Sequence, residues 1–190
     1  MENSRDIFLA QQIYATLFSL ANKVQIQADK CCESLTSRQC MAMIAIMHLP
    51  EDETTLNNIA KKLGTTKQSV KQLITILEGK GYVLTVPSEK DKRAVNVKIT
   101  ESGKKAMLEC GEKSVYFMGD LFNEFSIEEM EILWMMLKKL YRFDGEKQDG
   151  FEEDVDFKVS EDQEEIQNRS LKEFQRRRNK KDENKKDENK

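Results

Sequence analysis

A polar stretch from Thr65 to Thr75 carries side chains that could hydrogen-bond to a nucleic acid. Its hydroxyl, amide and ammonium groups belong to Thr65, Thr66, Lys67, Gln68, Ser69, Lys71, Gln72 and Thr75. Glutamine can pair with adenine through two hydrogen bonds in the major groove, and lysine donates to guanine or to phosphate. The first three residues stand at the predicted start of a helix, where hydroxyls and free backbone amides bind phosphates. An ordinary solvated helix face would contain the same residue types.

A strongly charged stretch, VPSEKDKRAV at residues 86–95, follows that helix. The runs on either side, YVLTV and AVNVKI, are rich in β-formers and predict a β-hairpin with this stretch at its tip. The tip is either a solvated turn or a basic finger that contacts a ligand. Residues 56–105 contain eleven Lys or Arg and four Asp or Glu, a net charge of +7 in a chain whose net charge is −3. A basic segment inside an acidic chain favours a surface that binds polyanions.

The elements that must position these clusters are mostly helical. The chain has only 8 Gly and 2 Pro among 190 residues, which favours helix. Apolar spacing predicts helices over about 5–30 and 35–49, the second capped by Thr36 or Ser37. Two short helices, TLNNIAKKLG and KQSVKQLITILEGKG, are joined through Gly64, which is the helix-turn-helix pattern. We therefore predict a mainly α fold with one small β-hairpin.

The chain after the hairpin is predicted to return to helix and then lose order. A helix begins at Thr100 and runs to about Phe125, with Gly111 and Gly119 as interruptions. SIEE at 126–129 is a capping box that opens the last clear helix. Residues 144–190 are highly charged and have few core formers, so we expect a mostly disordered tail with at most a turn or two of helix at 170–178.

The cysteines and the apolar runs point to a cytoplasmic protein without a metal centre. Cysteines at 31, 32, 40 and 110 form no CxxC pair and have no histidine at metal-ligand spacing. We expect no metal and no cofactor, and we expect the thiols to be buried and reduced. The longest apolar run, MAMIAIM, is too short to cross a membrane, and the N-terminus has no apolar signal core.

In this order, the helix-turn-helix, the charged hairpin and the closing ITESGKK resemble the multiple-antibiotic-resistance regulator (MarR) family of bacterial transcription factors. The resemblance covers roughly residues 5–142. It is sharpest in LGTTKQSVKQLITILEGKGYV, in the Asp-x-Arg pattern at 91–93 and in ITESGKK. It implies a domain over 1–143, with a winged helix-turn-helix at about 35–100 and dimerisation helices at about 5–34 and 101–142. The tail at 144–190 lies outside the usual family pattern.

The family resemblance also implies a function and a set of contacts. Members are homodimers that bind a pseudo-palindromic operator in double-stranded DNA, and we expect a repressor. The wing-tip role falls on Arg93, with Lys90 and Lys92 beside it, since an arginine at a hairpin tip can enter a narrow minor groove. Phosphate would repel Asp91, so we expect its carboxylate to orient Arg93. Many relatives have arginines where this chain has Thr85 and Val86, which removes expected phosphate contacts.

The remaining expectations concern regulation and alternative functions. The resemblance implies release by a small, often aromatic effector between the dimer region and the DNA-reading lobe; the candidate residues Phe18, Met43, Met47 and His48 are equally well explained as core. The vicinal pair Cys31–Cys32 leaves a thiol-based redox response as an alternative. A winged helix used only for protein contacts is another alternative. An enzyme is not expected, because the chain has one His, no nucleophile elbow and no Gly-rich loop.

Overall fold

The computed structural model describes residues 2–90, 93–145, 151 and 161–187. Within those ranges the chain forms helices and one two-stranded hairpin, as the composition predicts. The helices are α1 (Glu2–Ala28), α2 (Ser37–Met47), α3 (Leu56–Lys62), α4 (Lys67–Gly79), α5 (Glu101–Leu121), α6 (Ile127–Tyr141) and α7 (Glu161–Asp187). The strands are β1 (Val83–Pro87) and β2 (Val95–Ile99), and a turn of 3-10 helix, Arg142–Asp144, follows α6.

One core joins α2, α3, α4, the hairpin and the first half of α5, and we call the part from α2 to β2 the reading lobe. The side chains that close this core are Leu35, Ala42, Met43, Ala45, Ile46, Ile59, Ala60, Val70, Ile74, Leu77, Val83, Val97, Ala106, Met107 and Cys110. The buried apolar positions of α4 recur at helical spacing. One face of this helix therefore packs against the core, and the opposite face is exposed to solvent.

Side-chain caps begin five of the helices at the residues where the sequence has Ser or Thr. Each hydroxyl accepts a hydrogen bond from a backbone N–H in the first helical turn, and the capping residues are Thr36, Thr55, Thr66, Thr100 and Ser126. Capping boxes form at Thr36 with Gln39 and at Ser126 with Glu129. A cap of this kind stabilises a protein by about 1 kcal/mol.

The hairpin is fastened to the loop between α2 and α3. Its strands pair antiparallel from Val83 opposite Ile99 to Pro87 opposite Val95. The Val97 amide donates to the Thr54 carbonyl at 3.0 Å, which adds a third short stretch beside β2. The hairpin of β1 and β2, which we call the wing, is therefore anchored to the α2–α3 loop as well as held by its own two strands.

The α5 helix is continuous through both of its suspected interruptions, which corrects the sequence-based prediction. Gly111 has no atom within 4 Å of the place where a Cβ would lie. At Gly119 a Cβ would lie 3.1 Å from the Arg177 Cβ and 3.3 Å from the Phe174 carbonyl oxygen. Gly119 thus lets α7 approach closely instead of breaking α5.

The structure also differs from the expectation of a mostly disordered tail, because α7 packs along the second half of α5. Two guanidinium nitrogens of Arg169, Nε and Nη2, donate to the Glu112 carboxylate at 2.7 and 2.8 Å, and Arg177 pairs with Asp120. Ser170 is buried. Composition showed few apolar residues here, but it did not show that charged pairs along α7 and between α5 and α7 could order the segment. Residues 146–150, 152–160 and 188–190 of the predicted tail lie outside the described residues.

Two helices carry large apolar side chains that the other described residues leave exposed. In α1 these are Ile7, Phe8, Leu9, Ile13, Tyr14, Phe18, Leu20 and Ile26. In α6 they are Ile127, Ile132, Trp134, Met135, Met136, Leu137 and Leu140, and no described residue of α6 is buried. The last residue of α6, Tyr141, brings its hydroxyl within 3.1 Å of where a Cβ of Gly64 would lie, in the turn before α4. None of the helices in the described ranges is long and apolar enough to span a membrane.

The cysteines are not all free thiols, contrary to the expectation from the sequence. Cys32 and Cys110 form a disulfide, with their Cα atoms 5.5 Å apart, whereas Cys31 and Cys40 are free. The expectation failed because the two partners are 78 residues apart in the chain, and only the fold brings them together.

Candidate nucleic-acid interface

The outward face of α4 carries the polar row that the sequence predicts. Thr65, Thr66, Lys67, Gln68, Lys71, Gln72 and Thr75 are exposed and Ser69 is half-buried. Val70, Ile74 and Leu77 fasten the opposite face to the core. The helix therefore presents amides and ammonium groups on a rigid support, as a helix entering a major groove must do.

Some residues of that row already have roles within the helix. The Thr66 hydroxyl accepts from the Ser69 amide at 3.1 Å and lies 2.9 Å from the Ser69 hydroxyl, so both residues hold the first turn of α4. The Thr75 hydroxyl donates to the Lys71 carbonyl at 2.9 Å. The glutamine amides of Gln68 and Gln72 are the groups best suited to read base edges.

The hairpin tip is closed by a hydrogen bond from the Ser88 amide to the Ala94 carbonyl, at 3.0 Å. Arg93 is exposed. Asp91 and Lys92 lie outside the described residues, so the predicted orientation of Arg93 by Asp91 stays a prediction.

Lys90 is paired with acidic residues of the loop between α2 and α3. Its ammonium group lies 2.6 Å from the Asp52 carboxylate and 2.9 Å from that of Glu53. The hydrogen bond between Asp52 and Lys90 raises the pKa of Lys90 and lowers that of Asp52. The pairing makes Lys90 a support for the wing and reduces the charge that it offers to a polyanion.

The C-terminal end of α4 is held by a residue that the sequence analysis did not single out. Lys80 caps α4 and its ammonium group donates to the Ser34 carbonyl and to the Gln39 side-chain oxygen, both at 2.9 Å. On the other side, the Thr85 hydroxyl donates to the Glu78 carboxylate at 2.7 Å and joins β1 to α4. These contacts set the direction of α4, and no local signal in the sequence indicates them.

The four residues suggested for an effector site occupy different environments. Met43 is fully buried in the core and Met47 packs partly against it. His48 follows α2, with its ring 5.3 Å from that of Phe151. Phe18 is exposed on α1, 5.0 Å from the Tyr14 ring. Met43 thus belongs to the closed core, which leaves Met47 and His48 at its edge.

An open groove of 510 Å³ lies between α5 and α7, away from those four residues. Its lining is formed by Tyr116, Glu165, Asn168, Arg169, Lys172, Glu173 and Arg176. Glu112 binds Arg169, and Glu173 binds Arg176, so carboxylates compensate these two arginines. The positive charge of these two arginines is therefore balanced by carboxylates of the same two helices.

Comparison with known proteins finds relatives of the segment from α2 to the hairpin tip. The profile of the MarR family matches residues 34–94. The transcriptional activatory protein BadR of Rhodopseudomonas palustris is 25% identical over 127 residues, covering 64% of this chain and 72% of BadR. The HTH-type transcriptional regulator SarZ of Staphylococcus aureus is 32% identical over 89 residues, which spans 46% of this chain and little more than half of SarZ, 57%.

A solved structure extends the likeness to the fold. The S. aureus MepR–DNA complex superposes with a TM-score of 0.61 and 27% identity, over 67% of this chain and 95% of MepR. About a third of the present chain therefore has no counterpart in MepR.

Proposed function

We propose that this chain, which is similar to MarR-family transcriptional regulators, is a homodimeric, sequence-specific DNA-binding repressor. The observation that carries the proposal is the exposed row of Gln68, Lys71 and Gln72 on α4, beside a hairpin with exposed Arg93. The row and the hairpin lie in a segment with a net charge of +7, as binding to a polyanion requires. The structure of MepR was solved as a DNA complex.

In this proposal the two parts of the interface have different tasks. Gln68 and Gln72 read base edges in the major groove, and Lys71 with the first turn of α4 contacts phosphates. Arg93 enters the adjacent minor groove. Lys90 keeps the wing in place through Asp52 and Glu53.

The exposed apolar faces of α1 and α6 support the proposed homodimer. Large apolar faces of this kind are buried by a partner in proteins of this size, and a second copy offers the same pair of faces. Two reading lobes related by a two-fold axis match a pseudo-palindromic operator. The division into a domain over 1–143 and a tail over 144–190 belongs to the same proposal.

We place the protein in the cytoplasm, where its DNA target is, and assign it no catalytic activity. A small-molecule effector binds at the edge of the core near Met47 and His48 and releases the protein from the operator.

A reporter assay tests whether the protein represses or activates transcription, since BadR is named as an activatory protein. Deleting the gene should raise expression from the operator promoter; a fall in expression contradicts the repressor assignment.

The experiment that tests DNA binding is fluorescence anisotropy with the DNA upstream of the protein's own gene, over a range of salt concentrations. We expect affinity to fall steeply with salt, with a log–log slope of about −0.9 for each phosphate contacted, and we expect preference for one palindromic site. Lys71→Ala should weaken binding, whereas Lys172→Ala, which removes the same charge from an exposed site on α7, should not. Absent or salt-independent binding would favour a winged helix used for protein contacts.

A further inference from the structure

The α7 helix runs along α5 in the same direction, with its contacts in one constant register. Arg169 pairs with Glu112 and Arg177 pairs with Asp120, and in both pairs the partners are 57 positions apart in the chain. The two acidic positions are separated by about 12 Å along a helix axis. Both pairs can therefore form together only where the two helices stay parallel over that length.

The same stretch of α5 has a glycine where α7 comes closest. A Cβ at Gly119 would lie 3.1 Å from the Arg177 Cβ and 3.3 Å from the Phe174 carbonyl oxygen. The Arg177 guanidinium lies over the ring of Tyr116, 5.1 Å from its centroid. A large side chain at position 119 would push α7 away, because the nearest oxygen belongs to the backbone and cannot rotate aside.

The contacts of α7 continue past the end of α5 to the connection with α6. The Arg178 guanidinium donates to the carbonyl of Phe125, the residue directly before Ser126, which caps α6. The Arg178 Cζ atom lies over the Phe174 ring, 5.8 Å from its centroid. One helix therefore bridges the second half of α5 and the start of α6.

This bridge matters because α5 connects the reading lobe to the helices of the proposed dimer interface. The start of α5 is fastened to the lobe, since its cap Thr100 donates to the Gly81 carbonyl at 2.7 Å and Gly103 lies close against the Tyr82 carbonyl. Within the described ranges, the second half of α5 is covered mainly by α7. The angle between the lobe and α6 therefore depends on the stiffness of that half and of its joint with α6.

We propose that α7 stiffens α5 and its joint with α6, and that it thereby restricts the spacer lengths that the homodimer accepts between the two half-sites of an operator. The inference rests on the proposed function, because it needs two reading lobes on one operator. Lobes that are held at one angle before binding lose less entropy on the spacer that fits them. Without α7 on its surface, α5 bends more readily and tolerates other spacers.

The first measurement tests whether the described contacts hold α7 on α5. In the full-length protein, hydrogen–deuterium exchange followed by mass spectrometry reports on the amides of residues 169–178. We expect these amides to exchange slowly in the wild type and faster in Glu112→Arg, in Arg169→Glu and in Gly119→Leu. The double variant Glu112→Arg/Arg169→Glu exchanges the two charges and should regain slow exchange. Equal exchange rates in the wild type, Glu112→Arg and Gly119→Leu would overturn the proposal.

The second measurement compares operators with different spacers by fluorescence anisotropy. The probe is the palindromic site that footprinting locates upstream of the protein's own gene, together with copies whose spacer is one base pair shorter or longer. Each base pair moves one half-site by about 3.4 Å and rotates it by about 35° relative to the other. We expect the wild type to prefer the natural spacer. Glu112→Arg and Gly119→Leu should lower that preference about fivefold, and the double variant should recover it.

DNA with a single half-site separates this effect from a general loss of folding. Glu112→Arg and Gly119→Leu should bind such DNA as tightly as the wild type does, because α4 and the wing are unchanged. If all the proteins prefer the natural spacer equally, or if the variants lose the same affinity for every DNA, this inference fails while the proposed function stands. If the wild type binds no site upstream of its gene, the proposed function itself fails.

Discussion

The ammonium group of Lys90 lies between the carboxylates of Asp52 and Glu53, at 2.6 and 2.9 Å. The two acids belong to the loop between α2 and α3, so the pairing links the wing to the base of the reading lobe. The charge of Lys90 is thus compensated within the protein. We therefore assign Lys90 to the support of the wing and Arg93 to the contact with DNA.

Replacing Lys90 by Ala should therefore weaken operator binding less than replacing Arg93 by Ala. Arg93→Ala should reduce the magnitude of the slope of log binding constant against log salt concentration by about 1, because one positive charge near the DNA backbone is lost. Lys90→Ala should leave that slope nearly unchanged. Anisotropy titrations of both variants at several salt concentrations measure the two slopes; equal losses of slope would show that Lys90 contacts DNA directly.

Gln72→Ala should relax the sequence preference more than it lowers general affinity. A paired amide contact to adenine contributes about 1–3 kcal/mol of discrimination against the wrong base. The measurement compares affinities for the operator and for single-base variants of it. Gln175→Ala, which changes an exposed glutamine of α7, is the matched control and should leave the preference intact. A uniform loss across all sequences would assign Gln72 to the backbone.

Two glycines of α5 should respond in opposite directions to substitution by Ala. A Cβ at Gly103 would lie 2.1 Å from the Tyr82 carbonyl oxygen, so Gly103→Ala must shift backbone and should lower the free energy of unfolding by about 3 kcal/mol. Gly111→Ala meets no atom within 4 Å and should raise it by about 0.5–1 kcal/mol. Urea denaturation of both variants checks the prediction, and destabilisation by Gly111→Ala would point to a partner at that face.

Charged residues on α1 or α6 should dissociate the dimer. Ile13 and Leu137 are 54% and 41% exposed in the single chain, and burying such a side chain contributes about 1.5–3 kcal/mol. Ile13→Asp and Leu137→Asp should shift the equilibrium to monomer in sedimentation experiments. Leu84→Asp, at a similarly exposed apolar position in β1, should remain dimeric. Dimers in all three variants would place the interface elsewhere.

Acid should destabilise α7. Hydrogen bonds from Arg176 and then Arg177 lower the pKa of Glu173 from 4.5 to about 2, and one from Arg169 lowers the pKa of Glu112. A lowered carboxyl pKa stabilises the folded state above the unfolded value, and that contribution disappears as pH falls through the folded value. Helicity should therefore decrease between pH 4.5 and about 2.

Far-UV circular dichroism across that range measures the effect. Glu173→Gln should start with less helix and show a flatter acid response, because the titrating carboxyl is gone. Glu165→Gln, on an exposed position of the same helix, should keep the wild-type response. Identical curves for all three proteins would mean that Glu173 does not control the helix.

The features that the sequence predicts are those whose signal is local. The cap at Thr66, the capping box at Ser126 and the polar row around Gln68 and Gln72 depend on residues within one or two helical turns. The contacts that direct the interface are not local: Lys80 reaches Ser34 across 46 residues, and Lys90 reaches Glu53 across 37. A single sequence does not show which distant charges and carbonyls meet.

The docking of α7 has the same origin. Gly119 reads as a helix breaker when its neighbours in the chain are considered, and only the approach of Phe174 explains it. The cysteine pair is another example, since Cys32 had a nearer neighbour in Cys31 but bonds to Cys110.

The contact of Tyr141 with the turn at Gly64 gives the two-fold axis a mechanical meaning. In the proposed dimer α6 lies at the seam between protomers, and its last side chain touches the turn that leads into α4. A small rotation of one protomer against the other would therefore displace the Gly64 turn in both protomers at once. The distance between the two α4 helices would change with that rotation. This distance, and not the side chains of α4, would then decide whether both half-sites of the operator can be bound together.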